Sequence, residues 1–387
     1  MITRVQVKNF RSFADVDIQL GPLNVLVGRN GVGKSAFLDI LRFVRDCLRV
    51  GLETAIDERH GVIALRRWAP RKPYNVEITL NVEQRKFWGE YSFVITSGQQ
   101  GTYRRGRESC TVGTLNDGSD DAFEIKGNEW VKLPERFTQR RDRLDRLVGS
   151  DALVLPSIAV VSPRFSKLRA NLTGSFYSIF PNTLRVPQKP SNEKLLSDHG
   201  ENLASIVRRL QKNKYRFNKL LSALARVVDG VTDLRVRQVG GYLVTELKHS
   251  DLGSSAWFEL NQESDGTLRL LGMLVALYQY QPTRTLIALE EPENALHPGA
   301  LAVLSDVLYE ASRQHQIIVT TQSPDLISRF KASELLVVDR QSGVSEIGPV
   351  DEIQREAIQE QLFTSGDLMR IEGLRRQSLP LEEGTRA

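Results

Sequence analysis

Cysteine is nearly absent from this 387-residue chain, which holds only Cys47 and Cys110. Two thiols cannot complete a metal site by themselves, and they do not make a disulfide framework. Long apolar runs are absent as well: no stretch reaches the roughly eighteen residues that a membrane-spanning helix needs. The first residues, Met1-Ile2-Thr3-Arg4-Val5-Gln6-Val7, alternate like a strand and have no signal-peptide layout. A cytoplasmic protein with no membrane segment is expected. A strong charge of either sign is missing too, since 52 Lys and Arg against 47 Asp and Glu leave a net +5. That balance permits nucleic-acid contact without arguing for it. The five histidines, His60, His199, His249, His297 and His315, fall at no metal-ligand spacing, so solvated or structural roles are expected. No internal repeat occurs, and no heptad pattern is sustained, which excludes a long coiled coil. What is present, 41% hydrophobic and 26% charged residues, is the composition of a folded chain with room for about three domains at most.

The chain opens with strand signals at Val5 and Val7, then Val16–Leu20, then the buried run Leu23-Asn24-Val25-Leu26-Val27. A glycine-rich turn at 28–33 follows. Beyond it, Phe37, Ile40, Leu41, Val44 and Leu48 fall on one face of a helix. Alternation returns at Val76–Val82 and Tyr91–Ile95. Residues 96–130 are rich in Gly, Ser, Asp and Asn, including Asn116-Asp117-Gly118, and read as hairpin turns at the edge of a β-rich lobe. From 131 the composition turns basic and helical, with stretches at Phe137–Leu147, Asn202–Leu210 and Leu220–Val228 broken by Pro181, Pro187 and Pro190. Strand signals resume at Leu243–Leu247, a helix at Leu268–Leu277, and short apolar strands at Thr285–Leu289, Ile317–Thr320 and Leu335–Val338. Such strands separated by helices predict a parallel sheet buried on both faces, hence an α/β fold. Three parts are expected: 1–130 with the glycine turn and a β-rich N-terminal lobe, 131–229 as an inserted helical lobe, and 230–387 completing the sheet.

Gly28-Arg29-Asn30-Gly31-Val32-Gly33-Lys34-Ser35 fits the phosphate-loop pattern G-x-x-x-x-G-K-[ST]. Glycines let backbone N–H groups turn inward around a phosphate without Cβ clashes. The helix that starts near Lys34 aims its positive end at the same phosphate. Donors are expected from Asn30, Gly31, Val32 and Gly33 and from the helix start at Lys34, Ser35 and Ala36. Lys34 reaches the β- and γ-phosphates, and the Ser35 hydroxyl holds Mg²⁺. A second acidic signal lies at the end of an apolar strand, Glu290-Glu291-Pro292-Glu293. Beside a phosphate loop, one carboxylate can hold the metal through water while the next orients or deprotonates the attacking water. ATP and Mg²⁺ are therefore the expected cofactors.

Taken with Val7-Lys8-Asn9-Phe10-Arg11-Ser12-Phe13, Glu263-Ser264-Asp265-Gly266-Thr267-Leu268-Arg269, Glu290 to Pro298, and Thr320-Thr321-Gln322-Ser323-Pro324, the sequence resembles ABC-type P-loop ATPase heads of the RecF/SMC group. It is similar in particular to the AAA_21-like ATPases of OLD-family and Septu-type anti-phage systems. Asp198-His199-Gly200-Glu201-Asn202-Leu203 also looks like a segment of their inserted lobe. The resemblance implies that Ser264, Asp265, Gly266 and Thr267 form a signature motif that reaches the γ-phosphate held by a second subunit. A helix cap is the alternative reading of Ser264 and Asp265. It further implies that Glu290 is the metal-side acid, Glu291 the catalytic base, and Asn294 and Ala295 part of a loop that crosses to the partner. Arg11 is expected on a phosphate or in a surface salt bridge. Gln322 departs from the histidine usual at the switch position. Glutamine donates a hydrogen bond but takes up no proton near neutral pH, so slow hydrolysis is expected. The glutamine that completes Mg²⁺ coordination in such proteins is not identifiable, Gln84 being a weak match.

Two basic clusters stand apart from these motifs. Arg136, Arg140, Arg141, Arg143 and Arg146 alternate with acids and read as a solvated face. Arg208, Arg209, Lys212, Lys214, Arg216 and Lys219, interleaved with Tyr215 and Phe217, could follow a phosphate backbone or an acidic partner. Residues 292–387 hold no acidic cluster suited to two metals, so a nuclease or toxin in trans is expected as effector. The functional expectation is a homodimer, or higher even oligomer, that closes around ATP and senses phage infection to regulate that effector. A RecF-like DNA-repair ATPase and an ATP-stabilised scaffold with little turnover are the alternatives.

Overall fold

The computed structural model describes residues 1–68, 75–84, 86–98, 100–114, 120–138, 141, 152–251, 254–279 and 285–377. Asn116-Asp117-Gly118 and most of the basic stretch expected to be helical at 137–147 lie outside them. The N-terminal strands are β1 (Ile2–Phe10), β2 (Phe13–Gln19) and β3 (Leu23–Val27). An antiparallel series follows: β4 (Asn75–Gln84), β5 (Phe87–Ser97), β6 (Tyr103–Thr114), β7 (Asp120–Lys126) and β8 (Glu129–Lys132). Later come β9 (Ser175–Tyr177), β10 (Val231–Val239), β11 (Tyr242–Asp251) and β12 (Ser254–Glu259). The last four are β13 (Leu286–Glu290), β14 (Gln316–Thr321), β15 (Leu335–Gln341) and β16 (Val344–Pro349).

Thirteen of these strands form one sheet in the order β8-β7-β6-β5-β4-β1-β2-β16-β15-β3-β14-β13-β9, and β10-β11-β12 form a separate small sheet. The strands β15, β3, β14, β13 and β9 run parallel. Their apolar runs follow from burial on both faces. Leu286, Ala288 and Ile318 enter one hydrophobic core together with Phe37, Ile40, Leu41, Val44 and Leu48 of the helix Lys34–Arg49. Ile287, Leu289, Ile317 and Val319 enter a second core beneath the helices Asp265–Tyr278 and Pro298–Ser312. Each such large apolar side chain contributes about 1.5–3 kcal/mol on burial. Among the described residues no helix is long and apolar enough to cross a membrane. Both cysteines are buried free thiols.

Two expectations change. Residues 96–130 are mostly strand rather than turn. Their period is masked because inward positions of β6 carry Arg105 and Glu108, both fully buried. Arg105 donates to the carbonyls of Ala152 and Gly127. Glu108 accepts from the Tyr91 hydroxyl at 3.0 Å and from the N–H groups of Val154 and Leu155 at 2.6 and 2.9 Å. Secondly, the helical segment contains β9, which pairs with β13 and stitches the segment into the main sheet.

Candidate functional site: a phosphate loop beside an acidic strand end

The register of β3, β14 and β13 builds the site. Val27 pairs with Thr321, and Thr320 pairs with Glu290, so the phosphate loop, the switch segment and the acidic pair leave one edge of the sheet together. Gly28 follows β3 directly. A Cβ there would stand 2.2 Å from the Val338 carbonyl oxygen, so only glycine lets the loop pass β15. Gly33 has φ 121°, and a Cβ on it would meet the Ser345 hydroxyl at 2.6 Å. Ser345 in turn donates to the Val32 carbonyl. Gly31 faces open space, while Asn30 and Ser35 are exposed. Val32 and Ala36 pack partly against the first core.

Lys34 is buried, and its ammonium donates to the carbonyls of Gly28 at 2.7 Å and Arg29 at 3.0 Å. Burial lowers its pKa below the ordinary lysine value, while the charges of Glu291 and Glu293 pull it upward. The loop, Glu291 and Glu293 are thus electrostatic neighbours. Glu291 has a left-handed φ of 42°, a conformation that costs a non-glycine residue about 1–2 kcal/mol. It is held by its N–H donating to the Thr320 carbonyl at 2.9 Å and by Asn294 donating to its carboxylate at 2.9 Å.

Glu293 closes the acidic run Glu290-Glu291-Pro292-Glu293, whose reading assigned it no role of its own. It is buried, with 9% of its surface exposed. Its Oε1 accepts from the Thr321 hydroxyl at 2.6 Å and from the Gln322 N–H at 3.2 Å, whereas Oε2 is buried without a hydrogen-bond partner. Burial raises its pKa above the ordinary carboxylate value, against the hydrogen bonds. Gln322 therefore joins the acidic loop through its backbone.

Glu290 lies on the same sheet face as the phosphate-loop helix and accepts from Arg42 at 2.6 Å. Arg42 stands seven positions after Ser35, two helical turns along the same face, a spacing that the sequence does display. Ser35 and Glu290 offer hard oxygen donors. Among the described residues no group of three or more His, Cys, Asp or Glu gathers to hold a metal unaided. Such a set fits Mg²⁺ shared with a phosphate, since that ion keeps most of its positions for water and substrate oxygens.

The segment expected as a signature motif starts the helix Asp265–Tyr278. Ser264 caps it, accepting from the Thr267 N–H at 3.1 Å. Asp265 is exposed and pairs with Arg185 at 2.7 Å, and Arg185 also donates to the Glu263 carbonyl at 3.0 Å. Gly266 abuts the loop after β13: a Cβ on it would stand 2.5 Å from the Ala295 carbonyl oxygen. Ala295 itself has φ 63°. His297 caps the helix Pro298–Ser312 through its ring nitrogen.

Arg11 forms the salt bridge, with Nε 2.6 Å from Asp39. It begins a chain of ion pairs running through Asp39, Arg59, Asp46 and Arg45 to Asp198 along the phosphate-loop helix. Gln84 lies at the opposite edge of the sheet, lining a cavity with Met1 and Gln316, and is excluded from the site. Of the second basic cluster, Arg209, Arg216 and Lys219 are tied internally to the Ser191, Gln279 and Glu310 oxygens, while Arg208, Lys212 and Lys214 stay exposed.

The fold, with these loops on one sheet edge, is that of ABC-type P-loop ATPase heads. An Smc head bound to the C-terminal winged-helix domain of ScpA matches 92% of this chain and 99% of that one, with a TM-score of 0.51 at 14% identity. The Smc head with a coiled coil and joint from Pyrococcus yayanosii matches 93% and 99%, with a TM-score of 0.51 at 12% identity. At such identity they speak for the fold alone. Residues 104–328 match the AAA_21 family, described as AAA domain, putative AbiEii toxin, Type IV TA system, and residues 1–58 match an AAA ATPase domain. The chain belongs to the AAA_21 family. It is similar to the OLD nuclease of Thermus scotoductus, 25% identical over 375 residues, which is 89% of this chain and 63% of that protein. It is also similar to endonuclease GajA of Bacillus cereus, 22% identical over 358 residues, or 87% and 58%. The chain spans less than two thirds of the length of these relatives.

Proposed function

We infer that the chain binds ATP with Mg²⁺, that two copies close around two nucleotides, and that hydrolysis reopens them. The opening and closing regulate a nuclease or toxin partner in defence against phage. The observation that carries this reading is the register that brings the phosphate loop, Thr320–Gln322 and the acidic strand end together at one edge of the sheet. N–H groups from Asn30 to Ala36 would cradle the phosphates, with Lys34 moving from the Gly28 and Arg29 carbonyls to the β- and γ-phosphates. Ser35 and Glu290 would hold Mg²⁺, whose charge neutralises the phosphate oxygens. Glu291, oriented by Asn294, takes the proton of the attacking water. Gln322 donates to the γ-phosphate. Ser264, Asp265 and Gly266 serve the nucleotide of the other copy, for which Asp265 is suitably exposed.

The nuclease names of both relatives support an effector with nucleic-acid chemistry. Direct nucleic-acid contact would fall to Arg208, Lys212 and Lys214, the exposed remainder of the basic cluster.

Two substitutions test the reading. Lys34→Ala should weaken ATP affinity at least about tenfold, measured by fluorescent-nucleotide titration, because a charge-assisted contact to phosphate is lost. Glu291→Gln should retain binding and lose about 10²–10⁴ of turnover. Wild-type hydrolysis by Glu291→Gln would overturn the assignment of the base. Gln322 favours a second reading, in which ATP acts as structural glue; tight binding with no measurable phosphate release would select it.

A further inference from the structure

A cavity of about 800 Å³ opens at the far end of the phosphate-loop helix, against the helix Pro163–Leu172 and the 192–198 segment. The helix spans Lys34 to Arg49, so at 1.5 Å per residue the cavity lies roughly 20 Å from the phosphate loop. The volume falls within the range of small-molecule sites. Four cations line it: Arg45, Arg49, Arg169 and Lys194. Two of them are committed. Arg45 binds Asp198 through both terminal nitrogens at 3.0 Å and Asp46 through Nε at 2.8 Å. Arg169 donates from Nε and Nη2 to the Leu48 carbonyl, satisfying the end of the helix.

Arg49 and Lys194 differ. Both are exposed at the cavity, and neither side chain has a hydrogen-bond or ion-pair partner among the described residues. Two free cations in a concave polar site favour a phosphate group. The carboxylates of Glu193 and Asp198 and the Ser166 hydroxyl offer partners for the hydroxyls or amines of the same molecule.

The cavity is also joined to the acidic strand end. The Arg45 guanidinium lies 5.0 Å from the centre of the Phe176 ring in β9, and Arg42 lies 5.4 Å from the same centre. Arg42 in turn holds Glu290. A ligand that draws on Asp198 changes the partner of Arg45, and one ring and one guanidinium separate that change from the metal-side carboxylate.

We propose that this cavity is a second, regulatory site for a phosphorylated, nucleotide-sized anion, with Arg49 and Lys194 as its phosphate donors, read out at Glu290 through Arg45, Phe176 and Arg42. The binding half stands on the cavity alone; the readout half rests on the ATPase reading above.

The test uses the full chain carrying Lys34→Ala, which silences the phosphate loop, titrated calorimetrically with pyrophosphate and with AMP, GMP, CMP and UMP. At least one probe should bind, and adding Arg49→Glu and Lys194→Glu should weaken it at least tenfold. With Lys34 intact, the same charge reversals should leave ATP affinity unchanged, which certifies the fold; if they prevent folding, Arg49→Gln with Lys194→Gln should still weaken the probe several-fold. No binding by any probe, or binding indifferent to these substitutions, overturns the site. The readout is tested by the Mg²⁺ dependence of ATP hydrolysis in the wild type. The probe should shift the half-maximal Mg²⁺ concentration at least twofold, and Phe176→Leu should erase the shift while keeping probe affinity. An unmoved Mg²⁺ dependence with the probe bound overturns the readout and leaves the site standing. Absence of hydrolysis under every condition defeats the ATPase reading, and the titrations decide the site regardless.

Discussion

Glu293 carries a constraint that its neighbours Glu290 and Glu291 escape, because one of its oxygens is buried without a partner. Burial raises its pKa, so the folded chain binds this proton more tightly than the unfolded chain does. The folded state is therefore penalised as pH climbs through the folded pKa, and the penalty is absent below the unfolded value near 4.5. Glu293→Gln keeps an acceptor for Thr321 and removes the charge. It should raise the melting temperature at pH 7–8 by a few degrees, roughly the effect of 1 kcal/mol, and give no gain below pH 4.5. A gain independent of pH would contradict this account. The residue also marks what the sequence displays and what it hides. The phosphate-loop spacing and the acidic strand end are local patterns, and the structure brings both to one edge. That the third carboxylate turns inward onto Thr321, or that Arg42 meets a glutamate 248 positions away, depends on β3, β14 and β13 being adjacent, which no local pattern encodes.

At the scale of elements, β13 and β14 were legible because burial on both faces gives each an unbroken apolar run, Leu286–Leu289 and Ile317–Val319. β6 was not, since Arg105 and Glu108 occupy inward positions where hydrophobic residues would announce a strand. β9, with three residues, is too short to show a period at all. The small sheet yields a prediction of opposite sign to Glu293. Glu246 is bound by Arg237 at 2.5 Å and by Arg235 at 2.5 Å, and these hydrogen bonds lower its pKa. Its stabilisation is present above the ordinary value near 4.5 and fades as pH falls through the lowered folded pKa. Glu246→Gln should cost about 1 kcal/mol at pH 7, the arginines being largely solvated, and cost nothing in strong acid, as followed by urea titration at each pH. The packing of the helix Asp265–Tyr278 is equally specific. Gly266→Ala sets a methyl against the Ala295 carbonyl, and the displacement should cost about 1–3 kcal/mol. Because that carbonyl belongs to the loop expected to cross to a partner, turnover should fall more than ATP affinity does.

For the whole molecule, the defining proposal is assembly. Glu291→Gln with ATP and Mg²⁺ should elute at twice the mass of the nucleotide-free chain in size exclusion with light scattering, and Lys34→Ala should not. A mass indifferent to nucleotide in both variants would rule out closure of two heads. The segment expected as a helical insertion, 131–229, contributes β9 to the main sheet. The pairing of Ser175, Phe176 and Tyr177 with Ile287, Ala288 and Leu289 has a mechanical consequence. Because these rungs are backbone hydrogen bonds, the 175–177 strand cannot shift without breaking them or carrying along the strand that ends in Glu290.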